Sequence, residues 1–277
     1  LEKMALKRTA ALALVLLLAV GFSGARAQDE LSDQTLFMTF VPNVQFAPVY
    51  VGLVHGYFAD AGINLTFEHG DEPIGVDLIA AGERQFGIIS GEQVIAARAN
   101  ARPVVFVYEW FQEYPVGIVS SAERGIDEMR DLTGLRVGIP GRFGASYSGL
   151  VALLAASGMT ERDIELQEIG FNAPEVFCVG AVDASVVYIN NEPIQIAHRA
   201  AKGECGAVSA VNVLRVASAA DMVSNGLVTN EATIANQPEL VEAMVSAFDR
   251  AVRHVINNPA SAYLASAEYV ENLALPD

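Results

Sequence analysis

The stretch Leu36 to Phe67, LFMTFVPNVQFAPVYVGLVHGYFADAGINLTF, constrains the fold more than any other part of this chain. A β-rich run (LFMTF) breaks at Pro42, a helix-like run ends at Gly56, and a second strand (NLTF) follows Gly62. That is a βαβ opening, and its first loop holds Asn43, Gln45 and Phe46 at a strand's carboxyl end. In open α/β sheets ligands bind outside the carboxyl ends of strands, so this loop is the first candidate for a ligand contact.

The alternation continues along the chain. Ile74 to Ala81 reads as a helix stopped by Gly82, Gln85 to Ile89 as a buried strand, and Ser90 as the cap of a helix starting near Glu92. Val104 to Tyr108 and Val116 to Ser120 read as strands. A second unit repeats the pattern: a short helix at Asp127 to Leu132, a strand at Leu135 to Ile139, and the segment GRFGASYSG leading into a helix that stops at Gly158. A strand at Asp163 to Glu168, a helix at Ala173 to Gly180 and a buried strand at Ala184 to Ile189 follow. Met222 to Asn230 reads as a returning strand, and two helices close the chain, Pro238 to Asn257 and Pro259 to Asn272. Strands separated by helices imply a mostly parallel sheet covered on both faces.

At the N-terminal end, Lys7 and Arg8 precede an apolar run from Thr9 to Phe22 and then Ala25-Arg26-Ala27. A basic start, a core too short to span a bilayer and a small-x-small site describe a secretory signal over residues 1–27, with Met4 as its start. The net charge of −16 and pI near 4.6 exclude nucleic acid and anionic membrane surfaces as partners. Cys178 and Cys205 could pair in an oxidising compartment, but two cysteines make no disulfide framework and a core of this size needs none. Unpaired thiols are the expectation.

Several segments together resemble a known family. The opening block, "DLTGLRVGIPGRFGASYSGLVALLAASG", "GAVDASVVYINNEP" and "ANQPELVEAMVSAFDRAV" are similar, in order and spacing, to the NMT1/THI5-like (SsuA/ThiY-type) periplasmic substrate-binding proteins of ABC transporters, most of all to their riboflavin-binding RibY-type members. The resemblance implies an α/β, two-lobed, periplasmic-binding-protein-like (type II) fold, with mixed, mostly parallel sheets, helices on both faces and two crossing strands as hinge. Lobe one would comprise 34–118 plus 225–277 and lobe two 119–224. Against that family the chain stops short, at Asp277. It further implies an exported, monomeric carrier with a small-molecule ligand and a transporter permease as partners, and no cofactor.

Four loops carry the candidate ligand contacts. The first is Asn43, Gln45 and Phe46, whose other reading is a turn in which Asn43 caps the local backbone. Ser90 and Glu92 form the second, where a helix cap and a ligand contact can coexist. The third is Gly144, Ser146 and Tyr147, where glycine allows close approach and the family contacts ligand; it lacks the Lys-Ser/Thr pair of a phosphate loop. The fourth is Tyr188, Asn190, Asn191 and Glu192, although paired asparagines also make plain turns. Trp110, the only tryptophan, and Tyr114 lie at the expected crossing, as cleft wall or as core.

Charge narrows the ligand. After residue 27 the only lysine is Lys202, and Arg142 is the only cation in a candidate loop. Oxyanions want Arg, Lys or clustered donors. Amides, hydroxyls and rings suit a neutral planar heterocycle instead. Of the solutes that the resemblance implies, riboflavin therefore comes first and a thiamine pyrimidine precursor second, with an alkylsulfonate or taurine as the oxyanion alternative. A pyrimidine-synthesising enzyme is the competing class; that branch of the family has a cysteine-rich CCCFC motif, and a Schiff base needs a placed lysine. Here Cys178 is isolated and Lys202 falls outside the loops. The four dispersed histidines show no metal-ligand spacing, and no GxSxG is present.

Overall fold

The structure, a computed structural model, describes residues 31–271 and 273. The secretory signal read over 1–27 and the end of the last helix at Asn272 lie outside the described residues. From Ser32 onward the chain forms one compact unit, built on two five-stranded sheets.

The first sheet starts as expected. Strand β1 (Ser32–Thr39) leads through a 3-10 turn (Val44–Phe46) into helix α1 (Ala47–Val54) and the short α2 (Tyr57–Asp60), and then strand β2 (Ile63–Gly70). Helix α3 (Glu72–Ala81) ends where Gly82 takes φ +77°, the left-handed cap that glycine adopts without penalty. Strand β3 (Phe86–Ser90), helix α4 (Gly91–Ala99) and strand β4 (Val104–Glu109) complete this half.

The chain then crosses to the second sheet through residues 110–115. Strand β5 (Val116–Ser121) is followed by a 3-10 turn at Met129–Leu132, strand β6 (Arg136–Ile139), helix α5 (Gly144–Ala156) and strand β7 (Glu165–Glu168). Helix α6 (Ala173–Cys178), strand β8 (Ala184–Tyr188), helix α7 (Glu192–Ala201) and strand β9 (Val211–Arg215) follow. Residues 216–224 recross, and strand β10 (Asn225–Asn230) rejoins the first sheet before helices α8 (Glu231–Asn236), α9 (Pro238–Asn257) and α10 (Pro259–Ser266).

The strand orders are β2-β1-β3-β10-β4 and β7-β6-β8-β5-β9. In each sheet one strand is an insertion from the far side of a crossing: β10 runs antiparallel to β3 and β4, and β5 antiparallel to β8 and β9. The other four strands of each sheet point one way, so the sheets are mixed and mostly parallel. We call each sheet with its helices a lobe.

Both faces of both sheets are buried, because alternate residues of a strand face opposite sides. Leu36 and Met38 of β1 pack with Tyr50 and Phe248, while Phe37 joins Val76, Ile79 and Ile89 on the other face. In the second sheet Val116 and Ile118 meet Leu150 and Leu153, and Val119 meets Phe177 and Ile196. Helix α9 buries Met244, Ala247, Phe248 and Ala251, the i, i+3, i+4, i+7 stripe of an amphipathic helix.

Three expectations need correction. Residues 116–118 belong to the second sheet, since Gly117 and Ile118 pair with Val187 and Val186 of β8. The crossings themselves are irregular segments, 110–115 and 216–224, between strands rather than strands. Cys178 and Cys205 are joined in a disulfide; α6 and α7 pack side by side and bring the end of one beside the loop after the other. That proximity comes from tertiary packing and is invisible in the spacing of the cysteines.

Candidate functional site

A cleft lies between the lobes, and both contribute walls to it. Its cavity volume is about 50 Å³, below the roughly 300–1,000 Å³ of open small-molecule sites, so the lobes stand close together in this structure. From the first lobe come Thr39 and Phe40 at the end of β1, Gln45 and Phe46 of the 3-10 turn, Glu72 of α3, Ile88 of β3 and Asn225 of β10. From the second come Phe143, Gly144, Ala145 and Ser146 at the start of α5, Gly170, Phe171 and Ala173 around the start of α6, and Tyr188 and Glu192. Trp110 and Phe111 of the crossing complete the lining.

Rings dominate it. Phe40 and Phe171 meet edge-on from opposite lobes at 4.7 Å, and Phe143 stands 6.5 Å from Phe171. Trp110 is wedged among Phe46, Phe111 and Phe248. Phe40 sits at φ +69°, a conformation that costs a bulky residue energy and concentrates at functional sites.

The fourteen sequence candidates divide evenly. Gln45, Phe46, Trp110, Gly144, Ser146, Tyr188 and Glu192 line the cleft. The other seven are placed elsewhere. Asn43 caps the 3-10 turn, its side chain accepting from the Gln45 N–H at 3.0 Å, so the local-capping reading is the one seen. Ser90 is fully buried at the start of α4 and makes no side-chain cap bond. Tyr114 donates to the Ala145 carbonyl at 2.8 Å and so fixes the start of α5 from beneath. Tyr147 points away from the cleft to the Glu161 carboxylate. Asn190 is exposed, and Asn191 is buried and accepts from Gln195 at 2.7 Å. Glu92 lies near Glu72 behind the lining, beside the Ser90 and Tyr114 hydroxyls.

Three carboxyls stand in and behind the cleft beside the neutral Thr39, Gln45, Ser146, Tyr188 and Asn225. Glu72 is buried; its carboxylate accepts the Ser90 N–H and, across the lobes, the Ala145 N–H at 3.1 Å. Glu192 is buried and accepts the Tyr188 N–H at 2.9 Å. Burial raises the pKa of all three carboxyls: Glu192 to about 7, Glu92 to about 7 with the Glu72 charge adding, and Glu72 upward as well. Among the described residues, no lysine, arginine or histidine lines the cleft. Arg142 is held outside by Glu161 and Glu168, and Lys202 is exposed at the end of α7.

Sequence reasoning missed Glu72, Phe40, Phe143, Phe171 and Asn225. A signal for Glu72 was present: Glu-Pro-Ile stands at 72–74 and again at 192–194, and each copy starts a helix after a strand of one lobe. The rings at 40, 143 and 171 carry no such mark.

A second bond joins the lobes, the Tyr188 hydroxyl donating to Asn225 Oδ1 at 2.9 Å. Tyr188→Phe removes it and is expected to cost about 1 kcal/mol, or a melting temperature about 2–4 °C lower for a chain of this size. Differential scanning calorimetry reads this directly, and an unchanged melt shows that the bond contributes nothing in solution.

Comparison with known proteins places the chain among carriers and related enzymes. The sequence pattern of the family described as "NMT1/THI5 like" matches residues 43–262. The riboflavin-binding protein RibY of Chloroflexus aurantiacus is 34% identical over 254 residues, covering 91% of this chain and 70% of that protein. A 4-amino-5-hydroxymethyl-2-methylpyrimidine phosphate synthase of Legionella pneumophila is 25% identical over 235 residues, covering 84% of this chain and 72% of the enzyme. Among solved structures, the alkanesulfonate-binding protein SsuA from Xanthomonas axonopodis pv. citri bound to MOPS superposes with a TM-score of 0.67 at 15% identity, covering 86% of this chain and 79% of that one. That likeness supports the two-lobed fold.

Proposed function

We propose, because this chain belongs to the NMT1/THI5-like family, that it is the extracytoplasmic solute-binding component of an ABC importer, and that its solute is riboflavin. The observation that carries this reading is the cleft lining, with aromatic rings from both lobes and from the crossing and, among the described residues, no cationic side chain. A flat ring stacks on such faces, and the likeness to a riboflavin-binding protein at 34% identity points the same way. Gln45 Oε1 is buried without a partner in the cleft wall, an acceptor suited to the imide N–H of a flavin. The ligand contacts of this proposal are Gln45, Phe46, Trp110, Gly144, Ser146, Tyr188 and Glu192. Export by the signal read over 1–27, work as a monomer and docking on a permease belong to the same proposal, as does the role of carrier rather than catalyst.

One observation favours a second reading. Glu192 is a buried carboxyl in the lining with one oxygen not taken by the Tyr188 N–H. A carboxyl accepts well from an exocyclic amino group, and an aminopyrimidine related to the thiamine pyrimidine has one.

The test uses the single tryptophan. Trp110 lines the cleft, so riboflavin titrated into the purified protein is expected to quench its emission saturably at one equivalent, and to lose its own fluorescence. Calorimetry with riboflavin and with hydroxymethylpyrimidine ranks the two readings. Absence of saturable quenching and of heat with riboflavin rejects the first.

A further inference from the structure

Glu72 closes the cleft with a carboxylate of its own. It opens α3 in the first lobe, and its two oxygens are taken by main-chain donors from both lobes, the Ser90 N–H and the Ala145 N–H. The second donor is in the first turn of α5, a 13-residue helix, where an anion is most favoured. The turn is shaped for this approach. Gly144 sits at φ +64°, and a Cβ there would come within 2.5 Å of Glu72 Oε2. Tyr114 fixes the same turn from beneath through the Ala145 carbonyl.

We propose that Glu72 sets the charge of the solute: its carboxyl oxygens occupy the main-chain donors that an anionic ligand would need and present that ligand with acceptors only, so the cleft rejects oxyanions and takes uncharged rings. The proposal rests on the reading of this cleft as the solute site. A sulfonate entering it would meet no cation, because Arg142 is tied to Glu161 and Glu168 outside. It would also face a second acidic side chain, Glu192, from the opposite wall. Acceptor oxygens brought together away from water, with no donor between them, are costly to bury.

Ethanesulfonate and riboflavin are titrated by calorimetry into the full chain, into Glu72→Ala and into Glu72→Gln, with melting curves to confirm folding. Glu72→Ala frees both N–H donors, and Glu72→Gln replaces one acceptor oxygen with an N–H₂ donor while keeping the shape. Ethanesulfonate is expected to give no measurable binding with the unaltered chain, and affinity in both variants at least tenfold above that limit. Binding by the unaltered chain, or no gain in either variant, overturns the proposal. Failure of riboflavin in all three proteins, with the sulfonate gain present, rejects the riboflavin reading and leaves the role of Glu72 standing; riboflavin binding without the gain does the reverse.

Discussion

The folded chain is expected to lose stability as the pH rises from about 5 to 8. Glu92 and Glu192 have folded pKa values raised from 4.5 to about 7, chiefly by burial, and Glu72 is raised by the same cause. Between the unfolded and folded values the native state binds more protons than the unfolded one, so stability falls with pH through that window. A shift from 4.5 to about 7 corresponds to roughly 3 kcal/mol for each of Glu92 and Glu192, present as a loss above pH 7 and absent below 4.5. Two opposing sets are smaller or lie outside the window. His69 and His254 have lowered pKa values from burial, which favours the native state as pH rises toward 6.5. Asp183, Glu161 and Asp249 are lowered by hydrogen bonds from Arg136, Tyr147 and Arg253 respectively, and lose their contribution only as the pH falls below about 4.5. Stability is therefore expected to peak near pH 5. Melting temperatures measured from pH 4 to 8 check this, and Glu92→Gln and Glu192→Gln should each flatten the slope and stabilise the chain at pH 8. A melt that is level or rises from pH 5 to 8 contradicts the burial of these acids.

That acidic group also shows where reading the sequence stopped. Local periodicity carried the fold: Leu36 and Met38 alternate with Phe37 across β1, the 244, 247, 248, 251 stripe marks α9, and Gly82 stops α3. Strand β9 (Val211–Arg215) escaped because it is an edge strand, paired on one side only and half-buried along most of its length, so its pattern is weak. Asn190 and Asn191 do form a turn, and helix α7 after them carries a weak signal because it buries only Glu192, Pro193 and Ile196.

The site was half legible for a related reason. Residues that follow strands of one lobe, such as Gln45, Ser146 and Tyr188, are marked by their loops. Contacts that exist only because the lobes face each other are not. Phe40 meets Phe171 across 131 positions of sequence (171 − 40), and Glu72 reaches Ala145 across 73. Their juxtaposition is set by the two crossings, where β10 and β5 exchange sheets, and no local pattern encodes it. The groups that join the lobes, Glu72 with Ala145 and Tyr188 with Asn225, are themselves groups of the cleft wall.

Removing the disulfide is expected to be the most damaging covalent change. The bond between Cys178 and Cys205 closes a span of 27 residues, for which the loss of chain entropy in the unfolded state is worth about 3.5 kcal/mol. For a chain of this size that corresponds to a melting temperature roughly 7–14 °C lower. The bond joins the end of α6 to the loop after α7, among Phe177, Val182 and Ile196. Both helices also furnish the cleft at their other ends, α6 through Ala173 and α7 through Glu192. Loss of the bond should therefore loosen the second wall of the cleft as well as lower the melt. Cys178→Ala with Cys205→Ala, compared with the unaltered chain with and without dithiothreitol, separates the bond from the side chains. The unaltered chain should melt lower in reductant, and the double variant should melt low in both. Equal melting of all four samples means that the bond contributes no stability; a lower melt of the variant that reductant does not reproduce in the unaltered chain assigns the loss to packing around the sulfurs.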